Sequence, residues 1–217
     1  EIGRIASQNG LWFHVDGAQT AGMFPFGLRA LGCDSYATSG HKWLGAPHET
    51  GVLFIRKERL DEVAPSLVGA HSSDQTDIRS DLGFVASAQR HEYGTRNAAA
   101  VVALAAAAES QEQIGRERIA GRGRALAGRV RTGLEKIGDV EILTPQHPEL
   151  CASMISFRSP RLAYDKLFER LMKEYRFRCR PVSEEKLNAV RVSTHLVNST
   201  AECDALVAAV ATVLKTT

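Results

Sequence analysis

The apolar and polar positions of this chain switch between the short period of strands and the longer period of helices. After a helical pattern that ends near Gly10, short apolar runs predict three strands, at 11–15, 34–39 and 51–55. Weak periodicity over 65–94 predicts a long loop. We therefore expect the N-terminal part to contain a small sheet followed by an extended loop.

Two long helices are expected next. Residues 97–114 are apolar on nearly every side, so this helix is predicted to be buried, whereas 116–137 is charged and amphipathic. Beyond residue 138 the composition changes, and short elements are predicted: strands at 140–143, 153–157, 176–180 and 189–193, and helices at 162–175 and 200–215. The sequence thus predicts an α/β protein with two domains, 1–138 and 139–217.

The bulk composition is that of an ordinary globular protein. Apolar residues make up 44% of the 217 residues, charged residues make up 24%, and the net charge is +2. This balance gives no reason to expect a nucleic-acid or membrane partner, and the longest apolar run is too short to cross a bilayer. The four cysteines lack a C-x-x-C pair, which argues against a metal site and favours reduced thiols in a cytoplasmic protein.

Two charged residues follow predicted strands, at the position where ligands bind in open α/β sheets. Asp16 ends the first strand, and Lys42 follows the second in the stretch SGHKW. Taken alone, Asp16 is compatible with a turn-capping aspartate, and Lys42 with a lysine that extends from a strand end into solvent. Together they favour a pyridoxal 5'-phosphate (PLP) site, because PLP needs a lysine for its aldehyde and an acid for its ring nitrogen.

Four motifs, HVDGAQ, SGHKW, YGTRN and RVSTHLVNSTAECD, resemble those of the class V aminotransferase family of fold-type I PLP-dependent enzymes. That family includes cysteine desulfurases, kynureninase and isopenicillin N epimerase-like proteins. The motifs follow the family's order from Glu1 to the C-terminus. The resemblance implies an α/β fold, the C-terminal portion of a fold-type I PLP-dependent transferase: part of the large mixed-sheet domain and the small C-terminal α/β domain.

The resemblance implies a role for each cofactor-binding candidate. Lys42 is expected to form the Schiff base with PLP and to move the substrate's α-proton. The other expected contacts are Asp16 at the pyridine nitrogen, Gln19 at the phenolic oxygen, Ser39 and His41 at the phosphate, and Thr95 at the phosphate of the neighbouring subunit. The contact from Thr95 implies a homodimer with shared active sites.

Two arginines are candidates for substrate binding. Arg191, in RVS, matches the family's arginine that holds the substrate's α-carboxylate, a role that suits the bidentate guanidinium group. Arg96, in GTRN, stands where desulfurases often have proline and resembles the epimerase-like branch. For Arg96 the phosphate, the substrate and an ion pair at the dimer interface all remain open.

The chain departs from the family pattern in two ways. It lacks the R-x-G-H-H-C pattern of cysteine desulfurases, and Cys179 lies in or near a predicted strand, so desulfurase activity is disfavoured. It also lacks the upstream phosphate loop and the residue that stacks on the cofactor ring, and no N-cap precedes Glu1. We therefore expect the C-terminal fragment of a longer enzyme, inactive alone.

The expected enzyme acts on an amino acid by amino transfer, epimerisation or elimination, because all of these reactions begin at the α-carbon and use the same electron sink. The alternative is a truncated, non-catalytic dimerisation or regulatory partner of a full-length relative. Its interface would be formed by the helix at 97–114 and the GTRN loop.

Overall fold

The computed structural model describes residues 1–74, 79, 81 and 83–217. The chain divides into two compact units, Glu1–Gln113 (unit 1) and Ile114–Thr217 (unit 2). The division lies before the predicted boundary at 138, and the helix Arg116–Glu135 falls between the two positions. That helix packs against the C-terminal helix of the chain and so belongs with unit 2.

Unit 1 contains a three-stranded mixed sheet. Its strands are β1 (His14–Asp16), β2 (Ser35–Ser39) and β3 (Gly51–Ile55). They lie in the order β1-β2-β3, with β1 parallel to β2 and β2 antiparallel to β3. The helices of this part of the chain are α1 (Ile2–Gln8), α2 (Leu28–Leu31) and α3 (Ala98–Ile114), with 3₁₀ turns at Lys57–Glu62 and Ala88–His91.

The predicted strands at 34–39 and 51–55 are confirmed to within one residue. Strand β1 begins at His14, later than predicted, and both His14 and Asp16 are exposed. The predicted long loop contains one of the 3₁₀ turns. Residues 75–78, 80 and 82 of that loop lie outside the described residues.

The prediction that α3 is buried is wrong. Val101 and Val102 are 60% and 68% exposed, and Gln111 is the buried position of this helix. Its side-chain amide donates to the carbonyl of Trp43. Alanine is the strongest helix former, so the composition of α3 reflects helix propensity as well as apolar character.

Unit 2 is a four-stranded antiparallel sheet packed against helices. In chain order its elements are α4 (Arg116–Glu135), β4 (Glu141–Ile142), β5 (Met154–Arg158), α5 (Tyr164–Tyr175), β6 (Arg180–Val182), β7 (Ala189–Ser193) and α6 (Thr200–Lys215). The strand order is β4-β5-β7-β6. Phe157 and Val190 of the sheet are fully buried in one cluster with Leu126, Leu171 and Val210 of the helices.

The strand predicted at 176–180 is wrong, since the observed strand starts at Arg180. Arg176 adopts the left-handed conformation that ends α5, and the Phe177 amide bonds back to the Leu171 carbonyl at 3.0 Å. These residues therefore form the cap of a helix. Helix α6 has the predicted bounds. Among the described residues, no helix combines the length and apolar character needed to span a membrane.

Candidate active site

Asp16 and Lys42 follow neighbouring parallel strands of unit 1. Asp16 is the last residue of β1 and lies in register with Ala37 of β2, just before β2 ends at Ser39. Lys42 lies in the loop after β2 and is half-buried. Because the carboxyl ends of parallel strands meet at one edge of a sheet, the two loops that carry Asp16 and Lys42 start side by side.

The turn after Asp16 depends on a glycine. The Gly17 amide donates to the Ala37 carbonyl at 2.7 Å. The Gly17 carbonyl accepts hydroxyl hydrogen bonds from Thr38, Thr20 and Tyr36, at 2.9, 3.0 and 3.3 Å. A Cβ at position 17 would overlap the buried Tyr36 ring, so no larger residue fits.

Asp16 itself makes a local bond. Its Oδ1 accepts from the Ala18 amide at 2.9 Å, as in the turn-capping interpretation of this residue. The side chain is nevertheless exposed at the strand end, and the bond involves one of its two carboxylate oxygens. An ionised carboxylate offers about four acceptor positions, so the cap is compatible with a second, ligand-binding role.

Gln19 joins the two loops. Its Oε1 accepts a hydrogen bond from Trp43 Nε1 at 2.9 Å, and Trp43 is buried next to Lys42. The indole N–H can only donate, so this bond assigns the oxygen of the Gln19 amide to Trp43. The amide nitrogen, a donor, therefore points away from Trp43, as its predicted contact with an oxygen of the cofactor requires.

The loop from Ser39 to Gly45 is held by backbone bonds. The Gly40 amide donates to the Thr50 carbonyl at 2.9 Å, and the Gly45 amide donates to the Lys42 carbonyl at 3.2 Å. A Cβ at Gly22 would lie 2.5 Å from the backbone of Trp43, so the loop after β1 passes close to the lysine loop. The backbone that carries Lys42 is thus fixed by hydrogen bonds and by the close approach of the loop after β1.

The two predicted phosphate-binding side chains in this loop differ in exposure. Ser39 is half-buried at the end of β2, whereas His41 is exposed. The His41 ring stacks on His48 with centroids 5.4 Å apart. His48 was not predicted from the sequence, because no spacing rule relates it to His41.

The residues of the GTRN loop lie just before α3. Thr95 and Arg96 are both exposed. The Arg96 guanidinium lies over the Tyr93 ring, 4.7 Å from its centroid, and donates to the Tyr93 hydroxyl. Within the described part of the chain the structure therefore pairs Arg96 with Tyr93, and it does not join Arg96 to the residues around Lys42.

Arg191 lies on β7 of unit 2 and is half-buried. Its Nε is buried and has no hydrogen-bond partner among the described residues. Burial lowers the pKa of Arg191, the nearby charge of Arg180 lowers it further, and Glu184 opposes both effects. A guanidinium with an unsatisfied donor in such a place is suited to binding an anion.

Cys179 lines a cavity of about 280 Å³ in unit 2, together with Cys203. Burial raises the pKa of the Cys179 thiol to about 11, so the thiol is protonated at neutral pH. Since the thiolate is the nucleophile, this agrees with a structural role for Cys179. No group of three or more metal-ligating side chains occurs in the described part of the chain.

The residues at the edge of the unit 1 sheet fit PLP. Two adjacent loops supply a carboxylate suited to the ring nitrogen and an amine suited to the aldehyde, and an amide, a hydroxyl and an imidazole that can donate to the cofactor's oxygens. The sequence did not reveal the hydroxyl groups of Thr20, Tyr36 and Thr38, which meet at the Gly17 carbonyl. The signal in the sequence for this cluster of hydroxyl groups was Gly17, the glycine directly after Asp16.

Comparisons with known proteins agree with this site. The family model described as Aminotransferase class-V matches residues 1–206. The isopenicillin N epimerase of Amycolatopsis lactamdurans is 32% identical over 207 residues, which cover 93% of this chain and 52% of that protein. The chain therefore spans about half the length of this relative.

Solved structures are also similar to this chain over about half of their own length. The apo cysteine desulfurase of Thermococcus onnurineus NA1 has a TM-score of 0.90 and 29% identity, and the match covers 100% of this chain and 56% of that one. A mutant of C-DES with glycine covalently linked to its PLP cofactor has a TM-score of 0.80 and 27% identity, over 93% and 51% of the two chains.

These matches confirm the predicted fold class, part of a fold-type I α/β fold, and the predicted cofactor, PLP. The motifs, the sheet edge that carries Asp16 and Lys42, and the family match agree along nearly the whole chain. The chain belongs to the class V aminotransferase family.

Proposed function

We propose that the protein is a PLP-dependent enzyme that acts on an amino acid by amino transfer, epimerisation or elimination. The observation that carries the proposal is the placement of Asp16 and Lys42 after two adjacent parallel strands, in loops joined by the bond between Gln19 and Trp43. When bound, PLP supplies an electron sink for the substrate's α-carbon.

Each residue of the two loops would then have a defined role. Asp16 would hold the ring nitrogen of the cofactor, and the Gln19 amide would donate to the phenolic oxygen. Ser39 and His41 would donate to the phosphate. The Lys42 amine would hold the aldehyde carbon of the cofactor and move the proton at the substrate's α-carbon, and the backbone bonds of its loop would keep it at the sheet edge.

The proposed assembly is a homodimer with shared active sites. We assign Thr95 to the phosphate of the second subunit, and its exposure just before α3 supports that assignment. Arg96, which is packed on the exposed Tyr93, is assigned to the same loop surface at the entrance for the substrate. The four free cysteines support a cytoplasmic location.

Arg191 is assigned to the α-carboxylate of the substrate. Its buried Nε has no hydrogen-bond partner among the described residues, and a carboxylate would satisfy it. Cysteine desulfurase activity through Cys179 is disfavoured, since a thiol with a pKa of about 11 is a poor nucleophile at neutral pH.

A non-catalytic role as a dimerisation or regulatory partner is the second candidate. The exposed apolar side chains of α3, Val101 and Val102, favour it, because they offer an interface that needs no chemistry. The two candidates differ in one measurable property. A catalytic protein holds PLP covalently at Lys42, and an interface protein does not need to.

Borohydride reduction of the full-length protein loaded with PLP, followed by digestion and mass spectrometry, tests the proposal. We expect the cofactor on the peptide that contains Lys42, and no label in a Lys42→Arg variant. Lys136→Arg, a change just after α4, is the matched control and should label like the unchanged protein. A label on another lysine would overturn the assignment of Lys42, and a protein that takes up no PLP would favour the interface role.

A further inference from the structure

The register of the unit 2 sheet places a second arginine beside Arg191. Arg191 of β7 lies directly opposite Arg180 of β6 on one side and Ser156 of β5 on the other. Cross-strand partners project from the same face of a sheet, with Cβ atoms about 5 Å apart. Ile155 and Phe157 are buried on the opposite face. The outer face therefore carries a polar row formed by Ser156, Arg191 and Arg180.

The two guanidinium groups of this row influence each other. Burial lowers the pKa of Arg191, and the charge of Arg180, its partner on the neighbouring strand, lowers it further, so the two cations repel. The buried Nε of Arg191 has no hydrogen-bond partner in the described part of the chain. An anion between the two arginines would relieve the repulsion and satisfy that donor at the same time.

Arg180 is held by a partner that it can exchange. It forms an ion pair with Glu184, and the two side chains are 46% and 54% exposed. Exposed ion pairs of this kind contribute about 0–1 kcal/mol, so a carboxylate from a ligand can compete with Glu184. The pair therefore keeps Arg180 beside Arg191, and Arg180 remains able to bind a carboxylate from a ligand.

The connection that carries Glu184 is strained. Glu185, Lys186 and Asn188 have φ values of 49°, 56° and 49°, in the left-handed region that non-glycine residues seldom adopt. Asn188 is tied down, since its Oδ1 accepts from the Tyr164 amide at 2.9 Å. Strained backbone of this kind persists where surrounding structure holds it, and it is enriched at ligand clamps.

We propose that Arg180 and Arg191 together bind an amino acid that carries a second carboxylate on its side chain. The inference rests on the proposed function, in which Arg191 takes the α-carboxylate; Arg180 then takes the side-chain carboxylate and releases Glu184. With a substrate that has one carboxylate, Arg180 stays paired with Glu184. The substrate class is therefore an acidic amino acid.

NMR titration of the full chain with two probes of equal carbon number, glutarate and pentanoate, tests the inference. We expect the unchanged protein to bind glutarate about threefold more tightly than pentanoate. Arg180→Gln should weaken glutarate binding by about threefold and change pentanoate binding by less than about 1.5-fold, because an ion pair at an exposed arginine contributes little to affinity. Arg191→Gln should weaken the binding of both probes.

Arg158→Gln is the matched control. Arg158 is a half-buried arginine on the same sheet, and it is paired with Glu141. Its loss should leave the affinities for both probes unchanged, which excludes a general effect of net charge. Amide spectra of each variant verify that unit 2 remains folded.

Two outcomes separate the inference from the function on which it rests. Equal weakening of both probes by Arg180→Gln, or no preference for glutarate in the unchanged protein, would overturn the dicarboxylate site and leave Arg191 as a carboxylate-binding residue. If Arg191→Gln changed neither affinity, the assignment of Arg191 in the proposed function would fall as well. The label at Lys42 is measured independently of all these titrations.

Discussion

Units 1 and 2 differ in how completely each covers its own apolar side chains. In unit 2 the sheet and helices bury one continuous cluster, in which Phe157, Leu171 and Val210 have almost no exposed surface. The large apolar residues that unit 2 exposes stand apart in the sequence: Ile114, Leu150, Met172, Leu187 and Val197 among the described residues. Burial on this scale is the main favourable contribution to folding.

Unit 1 buries far fewer large side chains, with Tyr36, Trp43 and Leu60 among them. It exposes many more, including Ile2, Ile5, Leu11, Val52, Leu53, Leu67, Val68, Val101 and Val102. The loops with Asp16 and Lys42 are instead fixed by hydrogen bonds and by close contacts at glycines. The difference teaches that polar bonds position the candidate cofactor site, whereas a packed core positions Arg191.

The largest effect should come from the core of unit 2. Phe157→Ala removes a fully buried ring and should lower the free energy of unfolding of unit 2 by about 3–5 kcal/mol. Leu53→Ala in unit 1, where the side chain is 51% exposed, should change stability by less than about 0.5 kcal/mol.

Urea unfolding can report the stability of each unit separately. Both tryptophans, Trp12 and Trp43, lie in unit 1, so their fluorescence reports that unit, and hydrogen exchange of core peptides reports unit 2. A large loss of stability from Leu53→Ala would contradict the comparison, because it would mean that Leu53 is covered in solution.

The second effect concerns the carboxylate at the unit 1 sheet edge. Asp16→Asn keeps an oxygen that can accept from the Ala18 amide but removes the negative charge. In the full-length protein loaded with PLP, the rate should fall by about 10²–10³, the loss typical of one preorganised electrostatic contact. The kcat measured at saturating PLP is the readout. A variant as fast as the unchanged enzyme would leave Asp16 only its turn-capping role.

The third effect concerns the glycine that fixes the turn. Gly17→Ala forces a methyl group into the Tyr36 ring, which is buried and packed 5.3 Å from the ring of Phe26. Overpacking of this kind should destabilise unit 1 by about 1–3 kcal/mol in the fluorescence-detected transition. Gly27→Ala is the control, since the nearest atom to its Cβ is 4.0 Å away. Equal stability of the two variants would show that the turn can relax.

Local pattern was sufficient to predict much of the fold. The bounds of β3, β7 and α6 follow from the runs of apolar residues and the residues that break them. The burial of α3 was predicted wrongly, because burial depends on what packs against a helix and the helix's own sequence does not contain that information. Strand β6 begins later than predicted because Arg176, in the left-handed conformation, ends α5. The sequence has no glycine there to indicate this helix end.

The candidate site also contains residues that the sequence indicated and residues that it did not. The sequence indicated Asp16, Gln19 and Lys42, since strand ends and motif order are visible in it. It did not indicate Thr38 or Arg180. Their roles depend on the register between β1 and β2 and on the register across the strained turn between β6 and β7, and neither register can be derived from residue spacing alone.

The smallest expected effect concerns the N-terminal cap of α6, the last helix of unit 2. Ser199 and Glu202 form a capping box at the start of α6: Ser199 Oγ accepts from the Glu202 amide at 3.1 Å, and Glu202 Oε2 accepts from the Ser199 amide at 2.6 Å. The bond from the Ser199 amide is the main cause that lowers the pKa of Glu202 below its ordinary value of 4.5. Ser199→Ala should cost about 1 kcal/mol at any pH where the unit folds.

Glu202→Gln should have a smaller effect, and one that depends on pH. A carboxylate whose pKa is lowered by folding stabilises the folded state above its unfolded pKa, and this contribution is lost as the pH falls through the lowered value. The stability difference between Glu202→Gln and the unchanged protein should therefore be present at pH 7 and shrink below pH 4.5. Urea unfolding followed by circular dichroism measures it. A difference that stayed constant into the acid range would show that the charge of Glu202 does not contribute to the cap.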